Sequence, residues 1–321
     1  MLFISKHDIK QCIDMPKAIE LMAAAFSELS VGEGIVPVRH ILENNNTKTT
    51  GLFMPASLPE NGSMGIKIVG VNENNLAKGI PFIHANILLL NIETGKPEAL
   101  MEAGWITALR TGAGSGLATS LMANPTAKNV VIFGAGVQAR TQLEAVCSVR
   151  EIASVKVLNR TMENALAFCK EMEAKLSIPV KLGSVADLKE ADIICTATTS
   201  PTPLFKNSAI KPGVHINAVG AYTPQMAEIP QETVAASTII VDRKDACLEE
   251  AGDLIQAIES GRIKQEDING ELGELVKGKI KVEKGVTTLF KSVGNAAQDV
   301  VVASYILSEA RKRKLGQFIE L

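Results

Sequence analysis

Hydrophobic patterning changes its period twice along the chain. Near the start, Ile19, Met22, Phe26 and Leu29 recur at three- and four-residue steps, which predicts an amphipathic helix. Asp14 stands where a cap belongs, Pro16 fits an early helical position, and Gly32 ends the pattern. From Phe53 to Glu102 the period shortens. Gly65–Val71 alternates in part and Ala85–Leu90 is a short apolar run. Glu93–Pro97 has turn composition, so two strands are expected to fold back on each other there. Trp105–Met122 reads as helix although it holds Gly112, Gly114 and Gly116. Glycines weaken a helix, and close approach of another backbone or a ligand is the expected return.

After Asn124-Pro125, short apolar strands alternate with helix-like stretches. Strands are expected at Asn129–Phe133, Ser154–Leu158, Asp192–Thr196, His215–Val219 and Ser237–Val241, with helices at Gln138–Cys147 and Thr161–Ala174 among the connections. That alternation implies a doubly wound parallel sheet. The last stretch, Asn295–Lys314, is again helical, and its terminal Arg311-Lys312-Arg313-Lys314 suits the negative end of a helix dipole. The fold class is therefore α/β. A Rossmann sheet is expected over residues 123–294, inserted in an α+β domain made from both chain ends, 1–122 and 295–321.

Composition narrows the function classes. With 321 residues, 46% hydrophobic and 21% charged, the chain has the make-up of a globular protein. A net charge of −2 gives no field for holding nucleic acid or an anionic membrane, and neither is an expected partner. Met1–Asp8 lacks the order of a signal peptide, and no apolar run is long enough to cross a bilayer. The five cysteines are widely spaced, without a CxxC pair. They read as buried thiols in a reducing cytosol rather than as a zinc site or redox dithiol. A cytoplasmic protein without a metal is expected.

Gly134-Ala135-Gly136-Val137-Gln138-Ala139 fits G-x-G-x-x-A directly after one apolar strand and before a helix. The first glycine permits the turn, the second lets a pyrophosphate approach the backbone, and the small third position lets helix pack on strand. Context makes this hexamer specific for a dinucleotide. The second strand ends at Asn159-Arg160-Thr161, where an enzyme preferring NAD usually has an acid for the ribose hydroxyls. An asparagine, an arginine and a hydroxyl there predict preference for NADPH, with NADH also accepted. Thr196 and Thr198 lie where the fourth strand ends, as a ligand-crevice wall.

Several segments together resemble the ornithine cyclodeaminase/mu-crystallin family. They are Val36–Arg39, Met54-Pro55, Gly65–Lys67, Ile106–Ala113, Gly134–Ala139, Asn159–Thr161, His215–Gly220, Glu250–Asp253, Gly273-Glu274 and Phe290–Gly294, in order over nearly the whole chain. The resemblance implies a dimerising substrate domain built from both chain ends, a Rossmann domain, and hydride transfer between nicotinamide and a carbon bearing nitrogen and a carboxylate. It implies a homodimer and a small imino or amino acid as substrate. Arg39, Lys67 and Arg110 match the family's carboxylate-binding positions, and such cations would fix the reacting carbon. Arg110, Thr111 and Val219 are further expected cofactor contacts. Glu250, Asp253 and Thr287 are read either as cofactor contacts or as helix caps. The histidines, His215 included, are read as structural or surface residues.

Two departures decide the chemistry. Where ornithine cyclodeaminases carry a glutamate and an aspartate for the substrate's amines, this chain has Leu52 and Tyr222. Leucine cannot hold an ammonium, and a phenol is a poor substitute for a carboxylate at neutral pH. The substitutions point to reduction of a cyclic imine such as Δ1-pyrroline-2-carboxylate or Δ1-piperideine-2-carboxylate, giving L-proline or L-pipecolate. Lys67, Tyr222 or a water is the candidate proton donor. Ornithine cyclodeaminase, alanine dehydrogenase and a crystallin-like ligand-binding role are the alternatives.

Overall fold

The computed structural model describes residues 1–320, with the side chains of Glu73 and Leu76 outside the description; Leu321, the last residue of the expected α+β domain, lies beyond it. In chain order the first elements are β1 (Leu2–Ile4), α1 (Lys6–Cys12), α2 (Met15–Ser30), β2 (His40–Asn44), β3 (Thr49–Leu58), β4 (Ser63–Asn72), β5 (Ile83–Leu90), β6 (Pro97–Glu102) and α3 (Gly104–Met122). There follow β7 (Asn129–Phe133), α4 (Val137–Val149), β8 (Ser154–Leu158), α5 (Met162–Leu176), β9 (Val180–Leu182), β10 (Ile193–Thr196), β11 (His215–Ala218), α6 (Gln231–Ala235) and β12 (Thr238–Val241). The chain ends with α7 (Lys244–Glu250), α8 (Gly252–Glu259), β13 (Ile268–Glu271), α9 (Leu272–Val276), β14 (Thr288–Lys291), α10 (Ala296–Arg313) and β15 (Gln317–Phe318).

Two compact units emerge: Met1–Arg110 with Asn295–Leu321, and Thr111–Gly294. The division falls inside α3, upstream of the boundary expected at residues 122 and 123.

Among the described residues the first unit holds a seven-stranded sheet in the order β15-β1-β6-β5-β4-β3-β2. Strands β2 to β6 run antiparallel in sequence, and the turn expected at Glu93–Pro97 joins β5 to β6. Asp14 caps α2 through a bond from the Lys17 amide, and Pro16 stands in its first turn. Helix α10 packs on α2 and lies over β3, β4 and β5. Alternation along the strands therefore sends Met54, Ala56, Leu58, Lys67, Ile87 and Leu89 inward. Phe53, Ile68 and Leu42 take the other face, where Leu42 is 64% and Ile68 40% exposed.

The second unit holds an eight-stranded parallel sheet in the order β13-β12-β14-β11-β10-β7-β8-β9. Alternate residues of β7 feed different cores. Val131 and Phe133 join Ile194, Ile216, Val234 and Leu254, whereas Val130 and Ile132 join Leu143, Val155, Phe168 and Met172. Both faces are thus covered, as a doubly wound sheet requires. Gly112 shows why α3 tolerates glycine: a Cβ there would collide with the Thr141 backbone of α4. The sequence pattern did not anticipate β9, β13 or β14, of which β14 is central.

Candidate functional site

In the first unit, Lys67 on β4 points to the covered face and Arg110 lies on α3. Both are buried, and both are held by Asp299 in the first turn of α10. Lys67 Nζ donates to Asp299 Oδ2 at 2.6 Å, and Arg110 Nε donates to Oδ1 at 3.0 Å. Arg110 Nη1 donates to Gln298 Oε1 at 2.6 Å. Burial brings the Lys67 ammonium down to about 8; Asp299 opposes this, while Arg110 and Arg39 push in the same direction as burial. Arg39, half-buried just ahead of β2, therefore lies within electrostatic reach of Lys67. Asn295 Nδ2 and Gln298 Nε2 beside this cluster are buried donors without a partner. A buried amide donor left in that state favours an incoming acceptor such as a carboxylate.

Leu52 stands on the same face as Lys67, because Leu52 pairs with Val69 as Met54 pairs with Lys67. No acid occupies that place on the strand. Asp299 and Gln298 were missed by sequence reasoning. An acid in a helix's first turn reads as a dipole partner, and the signal available was that two buried cations need an anion.

In the second unit the glycine-rich turn follows β7. Neighbouring β8 and β10 leave β7 in opposite directions, which makes the β7/β10 boundary the point where an open parallel sheet takes its ligand. Gly134 has φ +106°, and a Cβ on it would meet the Ala197 oxygen at 2.6 Å. Gly136 caps α4 with open space where a side chain would stand. Val137 and Gln138 open α4, so their amides belong to its first turn, where backbone N–H groups have no partner within the helix and the dipole is positive. Arg140 steadies the turn by donating from Nη1 to the Ala135 and Gly136 oxygens, with Glu171 paired to its other nitrogens. A dinucleotide's pyrophosphate fits this cradle.

Past β8, Asn159 Nδ2 donates to the Thr161 oxygen at 2.8 Å and the Arg160 side chain is exposed. Thr196 is fully buried, with its hydroxyl donated to Glu228, so its side chain serves the protein interior. Thr198 and Val219 are half-buried at the same edge of the sheet. Thr111, buried in α3, offers its carbonyl to Gln142. Tyr222 is 43% exposed.

Thr287 requires a correction. It directly precedes β14, beside the start of β11, at the amino-terminal end of the parallel strands, whereas the glycine-rich turn follows the carboxyl end of β7. Its hydroxyl accepts from the Gly213 amide, so it is a loop cap and no cofactor contact. His215, by contrast, has the structural role expected of it. Burial takes its ring down to about 3, and it lies between Thr288 Oγ1 and Asn217 Oδ1. Asp253 neither caps through its side chain nor faces solvent; Lys291 pairs with it at 2.7 Å.

A dinucleotide turn on a doubly wound sheet, together with a second unit carrying a buried cation–carboxylate cluster, defines the class of Rossmann-type nicotinamide-binding proteins. Within that class the chain belongs to the ornithine cyclodeaminase/mu-crystallin family, whose profile matches residues 1–314. It is 39% identical to a Δ1-pyrroline-2-carboxylate reductase of Bacillus cereus over the whole of both chains. It is also similar to the solved Δ1-pyrroline-2-carboxylate reductase of Thermococcus litoralis in complex with NADH and L-proline. The TM-score is 0.95 at 39% identity, covering 99% of this chain and 100% of that one. An archaeal alanine dehydrogenase dimer with bound NAD superposes with TM-score 0.93 at 30% identity, covering 100% of this chain and 99% of that one. Among the described residues no helix is long and apolar enough to cross a membrane, and no three metal-ligating side chains cluster.

Proposed function

We propose that this protein is an NAD(P)H-dependent reductase of cyclic imino acids, with Δ1-pyrroline-2-carboxylate as the substrate type. The observation that carries the reading is the buried Lys67–Asp299–Arg110 cluster. It holds a net positive charge with donors to spare, while Leu52 on the same face has no means of binding a distal amine. When bound, a reduced nicotinamide would supply the hydride that this reduction of a C=N bond needs.

The protein's own residues do the rest. Arg39 and Arg110, with the unpartnered amides of Asn295 and Gln298, hold the carboxylate and fix the neighbouring carbon. Lys67 Nζ holds the proton for the imine nitrogen. An ammonium brought down to about 8 gives up its proton far more readily than an ordinary lysine, yet is still mostly charged at neutral pH. Asp299 keeps that ammonium oriented.

Arg160, exposed beside the β8 end where no acid stands, gives the preference for NADPH over NADH. The apolar sheet face bearing Leu42, Phe53 and Ile68 is the surface on which a second copy docks, making a homodimer. The test is NADPH oxidation against cyclic and linear imino acids, beside ornithine with NAD and pyruvate with ammonia. Turnover of the five- or six-membered cyclic imines is expected. Ornithine consumption with ammonia release, or silence on every cyclic imine, would overturn the reading.

A further inference from the structure

Glu228 lies in the segment between β11 and α6 and is wholly buried. Its carboxylate is given over to the ends of two neighbouring strands. Oε1 accepts from the Thr198 amide at 2.6 Å. Oε2 accepts from Thr196 Oγ1 and from the Gly220 amide, each at 2.8 Å. A Cβ on Gly220 would run into the Thr198 oxygen and both carboxylate oxygens, so the strand ends close on the carboxylate with no slack.

A second carboxylate supports the first from behind. Asp253 Oδ1 accepts from the amides of Glu228 and Ile229 at 2.6 and 2.9 Å, and Asp253 Oδ2 accepts from Lys291 Nζ at 2.7 Å. All three charged side chains are buried. Burial pushes the Glu228 carboxyl up from its ordinary value and the Asp253 charge adds to this, while Lys291 and the donors from Thr198 and Thr196 pull it back. Two carboxylates and one ammonium in a protein interior are costly compared with apolar packing. The arrangement stands at the carboxyl ends of β10 and β11, beside the β7/β10 boundary. It grips the backbone that leaves those two strands, at the end of the sheet where an open parallel fold takes its ligand.

We propose that Glu228 is a positioning residue for the nicotinamide half of the dinucleotide, locking the β10 and β11 ends into one surface with Asp253 and Lys291 as its support. This rests on the cofactor reading above. It also gives a role to Asp253 and Lys291, one from each of the family-like segments Glu250–Asp253 and Phe290–Gly294.

The experiment compares full-length wild type with Glu228→Gln, using calorimetric titration with NADPH and with 2′-phospho-ADP-ribose, which lacks only the nicotinamide. A glutamine must turn its NH2 toward one of the amide donors, leaving that N–H unmatched. Affinity for NADPH is expected to fall about tenfold. Affinity for the fragment should stay within about twofold, and kcat should fall more than KM for the imino acid rises. Equal losses for both probes, or no loss for either, refute the positioning role alone. Should wild type bind only the unphosphorylated cofactor, NADH and ADP-ribose form the pair; a wild type that binds neither pair refutes the cofactor reading with it. Should the glutamine variant fail to fold, Thr196→Val removes one donor to the same carboxylate and must show the same selective pattern.

Discussion

Replacing Asp299 with asparagine removes the carboxylate that Lys67 and Arg110 share while leaving a carbonyl of the same shape. Lys67 sits at about 8 even with that anion beside it, because burial outweighs the attraction. At 2.6 Å the lost ion pair would be worth roughly 6 kcal/mol at an effective dielectric of about 20. Each ~1.4 kcal/mol moves a pKa by about one unit. The asparagine oxygen still accepts a hydrogen bond and water relaxes around the site, so one unit downward is a conservative minimum. The protonated lysine is the active form, so activity disappears as pH rises through its pKa, and a lower pKa brings the loss to lower pH. The profile of kcat/KM for the cyclic imine reports this group in the free enzyme. Against wild type, a one-unit drop gives almost no deficit from this cause at pH ~6, about threefold at pH ~7.5 and about ninefold at pH ~9. The Arg110 guanidinium loses its charge partner as well, which costs stability on the order of 3 kcal/mol, so folding is verified by circular dichroism at the assay temperature. A folded variant whose alkaline limb coincides with that of wild type would refute proton donation by Lys67.

Arg160→Ala should raise KM for NADPH about tenfold or more with NADH nearly unaffected, since only the 2′-phosphate loses a charge-assisted bond; steady-state kinetics with both cofactors decide it. Gly134→Ala should abolish dinucleotide binding and lower Tm. It forces a side chain into φ +106° and against the Ala197 oxygen, with strain on the order of 1–3 kcal/mol; fluorescence titration and calorimetry measure the two effects. Ile68→Asp puts a charge on the apolar sheet face and should convert a dimer to monomer in analytical ultracentrifugation, whereas an unchanged mass would place the interface elsewhere.

Much of the fold is written in local pattern. The strands at Asn129–Phe133 and Ser154–Leu158 fall where their apolar runs predict, and Asp14 caps the first long helix. Strand β14 escaped because Thr288-Leu289-Phe290-Lys291 is only four residues long and ends in a lysine. Nothing local says that this lysine will be buried against a carboxylate on α8. Asp299 escaped for the converse reason, because in its own helix it resembles an ordinary first-turn acid. Both depend on partners far along the chain, Lys67 being 232 residues from Asp299. Thr287 was misread because a hydroxyl beside a family-like segment suggested ligand contact. Only strand direction puts it at the amino-terminal end of the parallel strands, away from the turn.

Strand order also bears on how the chain is made. Strand β14 lies between β11 and β12, yet it is the last strand of its sheet to leave the ribosome. Until residues 288–291 emerge, the five strands from β9 to β11 and the pair β12-β13 are separate fragments, each presenting an unpaired edge. A nascent or truncated chain ending before Thr288 is thus an aggregation hazard, and completion of the sheet waits on a contact distant in sequence. The strand that welds the fragments also brings in Lys291, so the seat for the nicotinamide is finished only when synthesis of the domain is nearly over.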